Sequence, residues 1–131
     1  MLADIADKDS LILLVNAFYE QVKKDPVLAP IFQEFIGDDW SQHLPIMYRF
    51  WNSVLFGAEG YSGQAIGKHI EIDRRIPMEQ EHFDHWISLW IETVDRLFSG
   101  PNADNIKKKA ATTLQLIKYK VMNSRHGKSL I

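Results

Sequence analysis

The sequence contains no cysteine among its 131 residues. This absence excludes a disulfide framework, a cysteine-ligated zinc site, an iron–sulfur cluster and a thiolate-ligated haem, and it also excludes a cysteine nucleophile. A metal ion bound by this chain must therefore take its ligands from histidine, aspartate, glutamate, methionine or tyrosine side chains.

The chain also lacks an excess of charge of either sign, because 15 basic and 17 acidic residues give a formal net charge of −2. Proteins that bind the phosphate backbone of nucleic acids usually carry a basic surface, so we predict no nucleic-acid partner. The apolar run Leu11–Val15 follows several aspartates and is far shorter than the ~20 residues of a transmembrane helix. We therefore expect a protein of the cytoplasm with no membrane partner.

Apolar residues are plentiful enough to build one core. They make up 46% of the sequence, against 24% charged residues, which is an ordinary globular composition. Because a chain of this length commonly forms one core, we predict a single domain over residues 1–131, with a polar tail from about residue 123.

The spacing of the apolar residues predicts an all-α fold, since they recur at steps of three and four and no segment alternates as a strand does. We expect four longer helices with short helical pieces between them. The caps or first residues expected for the longer helices are Ser10, Ser41, Pro77, and Asn102 or Asp104.

A glycine-rich stretch separates the second and third of these helices. Gly57, Gly60, Gly63 and Gly67 fall within eleven positions. Each glycine inside a helix costs ~1 kcal/mol relative to alanine, so a long helix is disfavoured here. The sequence predicts a loop that carries one short helix around Ile66–Ile72.

The histidines are the only side chains that exchange protons near neutral pH, and they are the best metal ligands present. Glu79 and His82 form one Glu-x-x-His element of the di-iron type, but the sequence contains no second element, so we reject that site. His126 lies in the polar tail, where exposure is expected. His43 begins an apolar helical face and is either a hydrogen-bonded core residue or a functional one. His69 follows the glycines and, taken alone, is most simply a surface or capping residue.

Several aromatic residues also lie on or near the predicted buried faces. Tyr19 lies at the edge of the first helix's apolar face, and a buried tyrosine normally has a partner for its hydroxyl. Trp86 and Trp90 are four residues apart on another apolar face, where tryptophans are ordinarily core residues. Periodicity alone thus predicts a helical domain with many polar-tipped side chains facing inward, and it assigns no function.

An ordered set of short motifs extends over roughly residues 10–98. In sequence order they are Phe18-Tyr19-x-x-Val22, Asp25-Pro26-x-Leu28-x-Pro30-Ile31-Phe32, Gly37, Trp40-x-x-His43, Phe50-Trp51, Tyr61-x-Gly63, His69 and His82-Phe83-x-x-Trp86. Each motif alone is common, but the set in this order resembles the third group of the truncated haemoglobins. The resemblance implies a truncated globin-like fold, in which a 2-on-2 helical sandwich surrounds haem b (iron protoporphyrin IX).

The resemblance also implies which residues hold the cofactor. It makes His69 the proximal ligand of the haem iron, with an unidentified partner on its other ring nitrogen. Phe32 corresponds to the phenylalanine that wedges against the porphyrin. Phe50 and Trp51 are expected to pack near or behind the haem.

On the distal side the resemblance implies a gas-binding pocket. Tyr19 and Trp86 look like hydrogen-bond donors to the bound gas, since a phenol O–H and an indole N–H can each donate to its partial negative charge. His43 is similar to the distal histidine that can swing to gate entry. Met47, one turn later, is expected to form an apolar wall beside the ligand.

The resemblance leaves two alternatives open for a pair of arginines, and the chain departs from the family pattern at one tryptophan. Arg74 and Arg75 either pair with the haem propionates or belong to a solvated loop. Trp90 departs from the family pattern, which often has a long aliphatic residue or phenylalanine at this position. The indole of Trp90 is therefore expected to add bulk beneath Trp86.

The function implied by the resemblance is binding of O₂, and also of NO, CO or cyanide, at the haem iron. Two distal donors suit retention of O₂ better than storage or oxygen transport. The alternative is a haem-dependent redox enzyme with peroxidase-like activity, NO detoxification or nitrite reduction, because donors that hold O₂ also stabilise a peroxide. Such an enzyme requires an electron-donating reductase as partner. A haem-free helical interaction module is a third class, against which the inward-facing polar residues argue; we expect a monomer or a weak dimer.

Overall fold

The computed structural model describes residues 1–57 and 65–125, except for the side chains of residues 65–68. All regular structure in these residues is helical, which confirms the all-α class. No helix in the described part of the chain is both long and apolar enough to cross a membrane. The motif residues Tyr61 and Gly63 and the tail from residue 126 lie outside the described residues. The helices are α1 (Lys8–Val22), α2 (Ala29–Phe35), α3 (His43–Phe56), α4 (Ala65–Arg75), α5 (Gln80–Leu97) and α6 (Pro101–Arg125).

The helix caps differ from the predicted ones, because other side chains compete for the same backbone groups. α1 begins directly after Asp7, whose carboxylate accepts hydrogen bonds from the backbone N–H of Ser10 at 3.0 Å and from its hydroxyl at 3.1 Å. The prediction that Ser10 caps this helix is therefore wrong. Ser41 does not cap α3 either, since its N–H donates to the Asp39 carboxylate at 3.0 Å and the helix begins only at His43.

α5 begins after Glu79 rather than at Pro77. The backbone N–H of Glu79 donates to Nδ1 of His82 at 2.8 Å, so the histidine supplies the partner that this exposed N–H needs. Pro77 lies before this cap, in a turn where the Met78 N–H donates to the Asp73 carboxylate at 2.8 Å. The Glu-x-x-His spacing is therefore part of a helix cap.

The N-terminal segment caps α6, which begins at Pro101, earlier than predicted. The Asp4 carboxylate accepts hydrogen bonds from the backbone N–H groups of Asn102 at 2.9 Å and Ala103 at 2.8 Å. Gly100 lies beside this carboxylate with a φ of +144°, a conformation that side chains other than glycine rarely adopt. The N-terminal segment thus contacts the α5–α6 turn.

α4 is longer than the predicted short helix, since it extends over Ala65–Arg75 instead of Ile66–Ile72. Of the four glycines that predicted a loop, Gly67 lies within this helix, while Gly60 and Gly63 lie outside the described residues. Gly57 ends α3 in the left-handed conformation, with a φ of +70°. The glycine count therefore overstated the helix-breaking tendency of the residues around His69.

The longer helices pack as two pairs, α1 with α3 and α5 with α6. The pairs contact each other through α1 with α5 and through α3 with α6, while α4 packs on α6. This arrangement agrees with the predicted sandwich of two helix pairs.

Among the described residues, buried apolar side chains form two clusters. The main cluster contains the buried face of α1, Trp51 of α3, the C-terminal half of α5 and the N-terminal half of α6. The small cluster contains Phe83, Leu114, Ile117 and Val121, with Ile70 of α4 packed against it. Trp86 and Ile87 pack against both clusters, so α5 and α6 extend from one to the other.

Candidate functional site

A cavity of about 330 Å³ is lined by members of both clusters. Its volume falls within the range of small-molecule sites, and most of its lining is aliphatic or aromatic, as in such sites. The polar exceptions are few and include three histidines. The lining residues are Tyr19, Leu28, Ile31, Phe32, Phe35, Ile36, His43, Ile46, Met47, Phe50, Trp51, His69, Glu71, Ile72, Met78, His82, Phe83, Trp86, Thr113, Leu114 and Ile117.

The structure brings most of the predicted site residues to this one cavity. Arg74 and Arg75, also among the described residues, do not line it. Both are exposed, and the Arg75 guanidinium pairs with the Glu34 carboxylate and lies 5.0 Å from the centre of the Phe35 ring. A role for these arginines beside a bound carboxylate therefore stays a prediction. The eight predicted residues that line the cavity are Tyr19, Phe32, His43, Met47, Phe50, Trp51, His69 and Trp86.

Tyr19 is surrounded by other rings. Its ring centre lies 5.8 Å from that of Phe32, 5.1 Å from that of Trp40 and 5.4 Å from that of His43. Trp40 in turn stacks on Phe32, with the ring centres 5.8 Å apart. Burial raises the pKa of the Tyr19 hydroxyl above its ordinary value of 10.0. The hydroxyl therefore keeps its proton and remains a hydrogen-bond donor.

His43 presents an unpaired nitrogen. Its Nε2 is buried and has no hydrogen-bond partner among the described residues. Burial, with a smaller contribution from nearby His69, lowers the pKa of His43 to about 4, so the ring is neutral at pH 7. Because buried polar groups are normally paired, this nitrogen marks a place where a bound molecule would supply the missing partner.

α4 carries His69 to the cavity and is held in place one turn later by Asp73. The buried Asp73 carboxylate accepts hydrogen bonds from Arg125 Nε at 2.9 Å and Nη2 at 2.6 Å, and from the Met78 N–H at 2.8 Å. Burial opposes ionisation, but the hydrogen bonds from Arg125 and Met78 hold the pKa of Asp73 below its ordinary value. This ion pair ties α4 to α6 and so fixes the helix that bears His69.

A second charged contact joins the α1–α2 corner to α5. The Asp25 carboxylate accepts hydrogen bonds from the Val27 N–H at 3.1 Å and the Leu28 N–H at 2.9 Å, and it lies 3.1 Å from Nδ1 of His85. Although burial opposes it, these contacts lower the pKa of Asp25, with the His85 hydrogen bond the strongest of them. Since His85 directly precedes Trp86, the contact fixes the part of α5 that brings Trp86 to the cavity.

Comparison with known proteins relates this site to a family. No family model matches the sequence. The chain is 32% identical over 120 residues to the group 3 truncated haemoglobin ctb of Campylobacter jejuni, a match that covers 87% of the chain and 92% of the relative. The chain belongs to the group III truncated haemoglobins. The crystal structure of the group III truncated haemoglobin from Campylobacter jejuni matches with a TM-score of 0.83 and 28% identity, covering 92% of this chain and 95% of that one.

Sequence reasoning missed several residues that line the cavity of this truncated haemoglobin. Thr113, Leu114 and Ile117 of α6 are examples: their spacing predicts an inward face, but spacing does not distinguish a packed side chain from one that lines a cavity. His82 is another, and its cap bond to Glu79 makes Nδ1 an acceptor, which leaves the proton of the neutral ring on Nε2. The spacing of His82 from Glu79 signals the helix cap and does not predict that His82 lines the cavity.

Proposed function

We propose that this truncated haemoglobin binds haem b in the cavity and retains a diatomic gas such as O₂ there, with His69 as the iron ligand. In this proposal Tyr19 and Trp86 donate hydrogen bonds to the gas. The observation that carries the proposal is that three histidines, a buried tyrosine and two tryptophans converge on one apolar cavity of about 330 Å³.

The residues of the cavity fit a haem group. Its aliphatic and aromatic lining suits an apolar macrocycle, and neutral imidazole is the commonest metal ligand in proteins, as the His69 assignment requires. The unpaired Nε2 of His43 is a polar atom that a bound molecule would satisfy. The sequence has no cysteine for a thiolate ligand or a thioether attachment, which favours non-covalent haem b. When bound, haem supplies the iron centre at which a gas binds reversibly.

The chain's own contribution is hydrogen bonding to the gas. The Tyr19 hydroxyl keeps its proton because burial raises its pKa, and the Trp86 indole N–H does not ionise in the accessible pH range. A hydrogen bond to a group with charge contributes ~1.5–3 kcal/mol, which corresponds to roughly tenfold to hundredfold slower loss of the gas for each donor. His43 and Met47, one turn apart on α3, also line the cavity and contribute one polar and one apolar side chain to it.

Haem titration of the purified apoprotein tests the cofactor and its ligand. We expect a Soret band with the native chain, loss of stable binding in His69→Gly, and recovery of the band when imidazole is added to that variant. His82→Ala is the matched control, because His82 lines the same cavity and is expected to leave the band intact. Absence of a Soret band from the native chain would refute the proposal.

Stopped-flow measurement of O₂ release tests the donors. Tyr19→Phe and Trp86→Phe are each expected to speed release by about tenfold to hundredfold with the helical content unchanged. Unchanged rates in both variants would show that these residues are not the donors. Rapid consumption of NO or hydrogen peroxide in the presence of a reductant would favour the redox enzyme over gas retention.

A further inference from the structure

Three nearly parallel indole rings, which we call the indole stack, lie beside the cavity. The ring centre of Trp90 is 4.3 Å from that of Trp51, with 18° between the planes, and 6.2 Å from that of Trp86, with 2° between the planes. Trp51 and Trp86 line the cavity. Trp90, also among the described residues, is fully buried and is not part of the lining.

Phe18 holds the same rings from the side. Its ring lies edge-on to Trp90 at 5.0 Å and to Trp86 at 5.9 Å, with interplanar angles of 82° in both cases. Offset stacking and edge-to-face contacts are the favoured geometries of aromatic pairs. Because an indole N–H lies in the plane of its ring, contacts that fix the plane of Trp86 also fix the direction of its N–H.

The indole N–H of Trp90 does not explain why a tryptophan occupies this position. Its Nε1 is buried and has no hydrogen-bond partner in the part of the chain that the structure describes. An unpaired buried donor costs free energy that a phenylalanine or leucine would not incur. The favourable contacts of Trp90 are instead made by its ring, which stacks on Trp51 and on Trp86 and meets Phe18 edge-on. Trp51 and Trp86 also stack on each other, with ring centres 6.4 Å apart.

We propose that Trp90 is a positioning residue for Trp86. Its ring fixes the plane of the Trp86 indole and thereby the direction in which the indole N–H donates, which slows release of the gas. The inference rests on the proposed function, because it requires Trp86 to be a donor to the gas.

A double-mutant cycle on the rate of O₂ release from the haem-loaded protein tests the proposal. Trp90→Leu is expected to speed release by about threefold to tenfold, because a hydrogen bond weakens when its donor is no longer held in line. In a protein that already carries Trp86→Phe, the same substitution is expected to have no further effect. Equal accelerations in the two backgrounds would overturn the proposal, because Trp90 would then act independently of Trp86.

Circular dichroism provides a second readout that does not depend on gas binding. Transitions of closely stacked indoles couple and give paired bands of opposite sign. We expect these bands to weaken in Trp86→Phe, which keeps the Trp51–Trp90 pair at 4.3 Å, and to weaken further in Trp90→Leu, which removes that pair. Bands in Trp90→Leu that are as strong as in the native chain would overturn the proposal. Val94→Ala is the matched control, since Val94 is fully buried one turn further along α5 in the main cluster. If Val94→Ala speeds O₂ release as much as Trp90→Leu does, general loss of core packing explains the effect and the proposal is wrong.

Trp90→Phe keeps the test decisive if the leucine variant does not fold. It retains an aromatic face with a smaller ring, so we expect a release rate between those of the native chain and Trp86→Phe. If Trp86→Phe leaves release unchanged, the proposed donor is wrong and this inference falls with it. If Trp86→Phe speeds release but neither Trp90 variant does, only this inference is overturned.

Discussion

The buried ion pair between α4 and α6 leads to a quantitative prediction for Asp73→Asn. The Asp73 side chain is 5% exposed, and its carboxylate accepts hydrogen bonds from Arg125 and from the Met78 N–H. Asparagine has nearly the same shape, but its NH₂ group cannot accept a hydrogen bond from the guanidinium. The substitution therefore leaves one N–H donor of Arg125 facing another donor beside the buried side chain at position 73.

The size of the effect follows from the exposure of the two partners. Removing one partner of a buried ion pair costs ~3–5 kcal/mol, and a hydrogen bond to a charged group contributes ~1.5–3 kcal/mol. Because the Arg125 side chain is 31% exposed and can turn toward water, we expect a loss of about 2–3 kcal/mol in the free energy of unfolding. The pair of Arg75 and Glu34 also holds α4, but with side chains 62% and 45% exposed, so Glu34→Gln is expected to cost only ~0–1 kcal/mol.

Urea unfolding of the haem-saturated protein at pH 7, followed by far-ultraviolet circular dichroism, measures both variants. Since α4 carries His69, transfer of haem to an excess of an apoglobin acceptor should also be faster from Asp73→Asn than from Glu34→Gln. The reasoning is refuted if the two variants lose the same free energy of unfolding, because burial of the Asp73–Arg125 pair would then contribute nothing.

The same ion pair predicts a pH dependence with a definite sign. The pKa of Asp73 in the folded state lies below the ordinary value of 3.8. Its stabilising contribution is therefore complete above that value and is lost as the pH falls below it toward the folded-state pKa. Accordingly, the difference in unfolding free energy between the native chain and Asp73→Asn is expected to shrink in this acid range.

Three further outcomes follow from the structure. Asp4→Ala removes the cap of α6 and is expected to lower the free energy of urea unfolding by ~1–2 kcal/mol. Although burial opposes it, the hydrogen bonds to Asp4 hold its pKa below 3.8. The difference in unfolding free energy between the native chain and Asp4→Ala should therefore vanish as the pH falls below that value. Gly100→Ala is expected to lower the melting temperature more than Gly57→Ala, because an added Cβ at Gly100 would lie 2.5 Å from Asp4 Cγ, whereas at Gly57 it meets nothing within 4 Å. O₂ release is expected to stay constant from about pH 7 to about pH 10, since burial raises the pKa of Tyr19 above 10.0 and lowers that of His43 to about 4; a rise in rate within this range would contradict the assignment.

The fold class followed from helical spacing, whereas eight of the 21 lining residues followed from the resemblance to the truncated haemoglobins. Helical spacing predicts which side chains face inward. The ordered motifs, through the resemblance to a known family, assigned four polar-tipped residues to one site, and all four line the cavity: Tyr19, His43, His69 and Trp86. The residues that cap the helices could not be predicted from local patterns, because several side chains near each helix start compete for the same backbone N–H groups. Asp7 takes the place expected for Ser10 in this way.

Contacts between residues far apart in sequence were beyond prediction from one chain. Asp73 and Arg125 are 52 residues apart, and Asp4 and Asn102 are 98 residues apart. Neither pair has a local spacing that marks it, since each depends on how the helices pack. The stacking of Trp90 of α5 on Trp51 of α3 likewise depends on how these two helices lie relative to each other, which periodicity does not report.

The buried side chains are divided unequally between the two clusters, which has a consequence for local stability. In the described part of the chain the main cluster has sixteen buried members and the small cluster has four, and α4 is packed against the small one through Ile70. Because the free energy of local opening rises with the apolar surface that is exposed, local opening at the small cluster is expected to cost less than opening at the main cluster. Backbone amide hydrogens of α4, the helix that bears His69, are therefore expected to exchange with solvent faster than those of α1 in the main cluster.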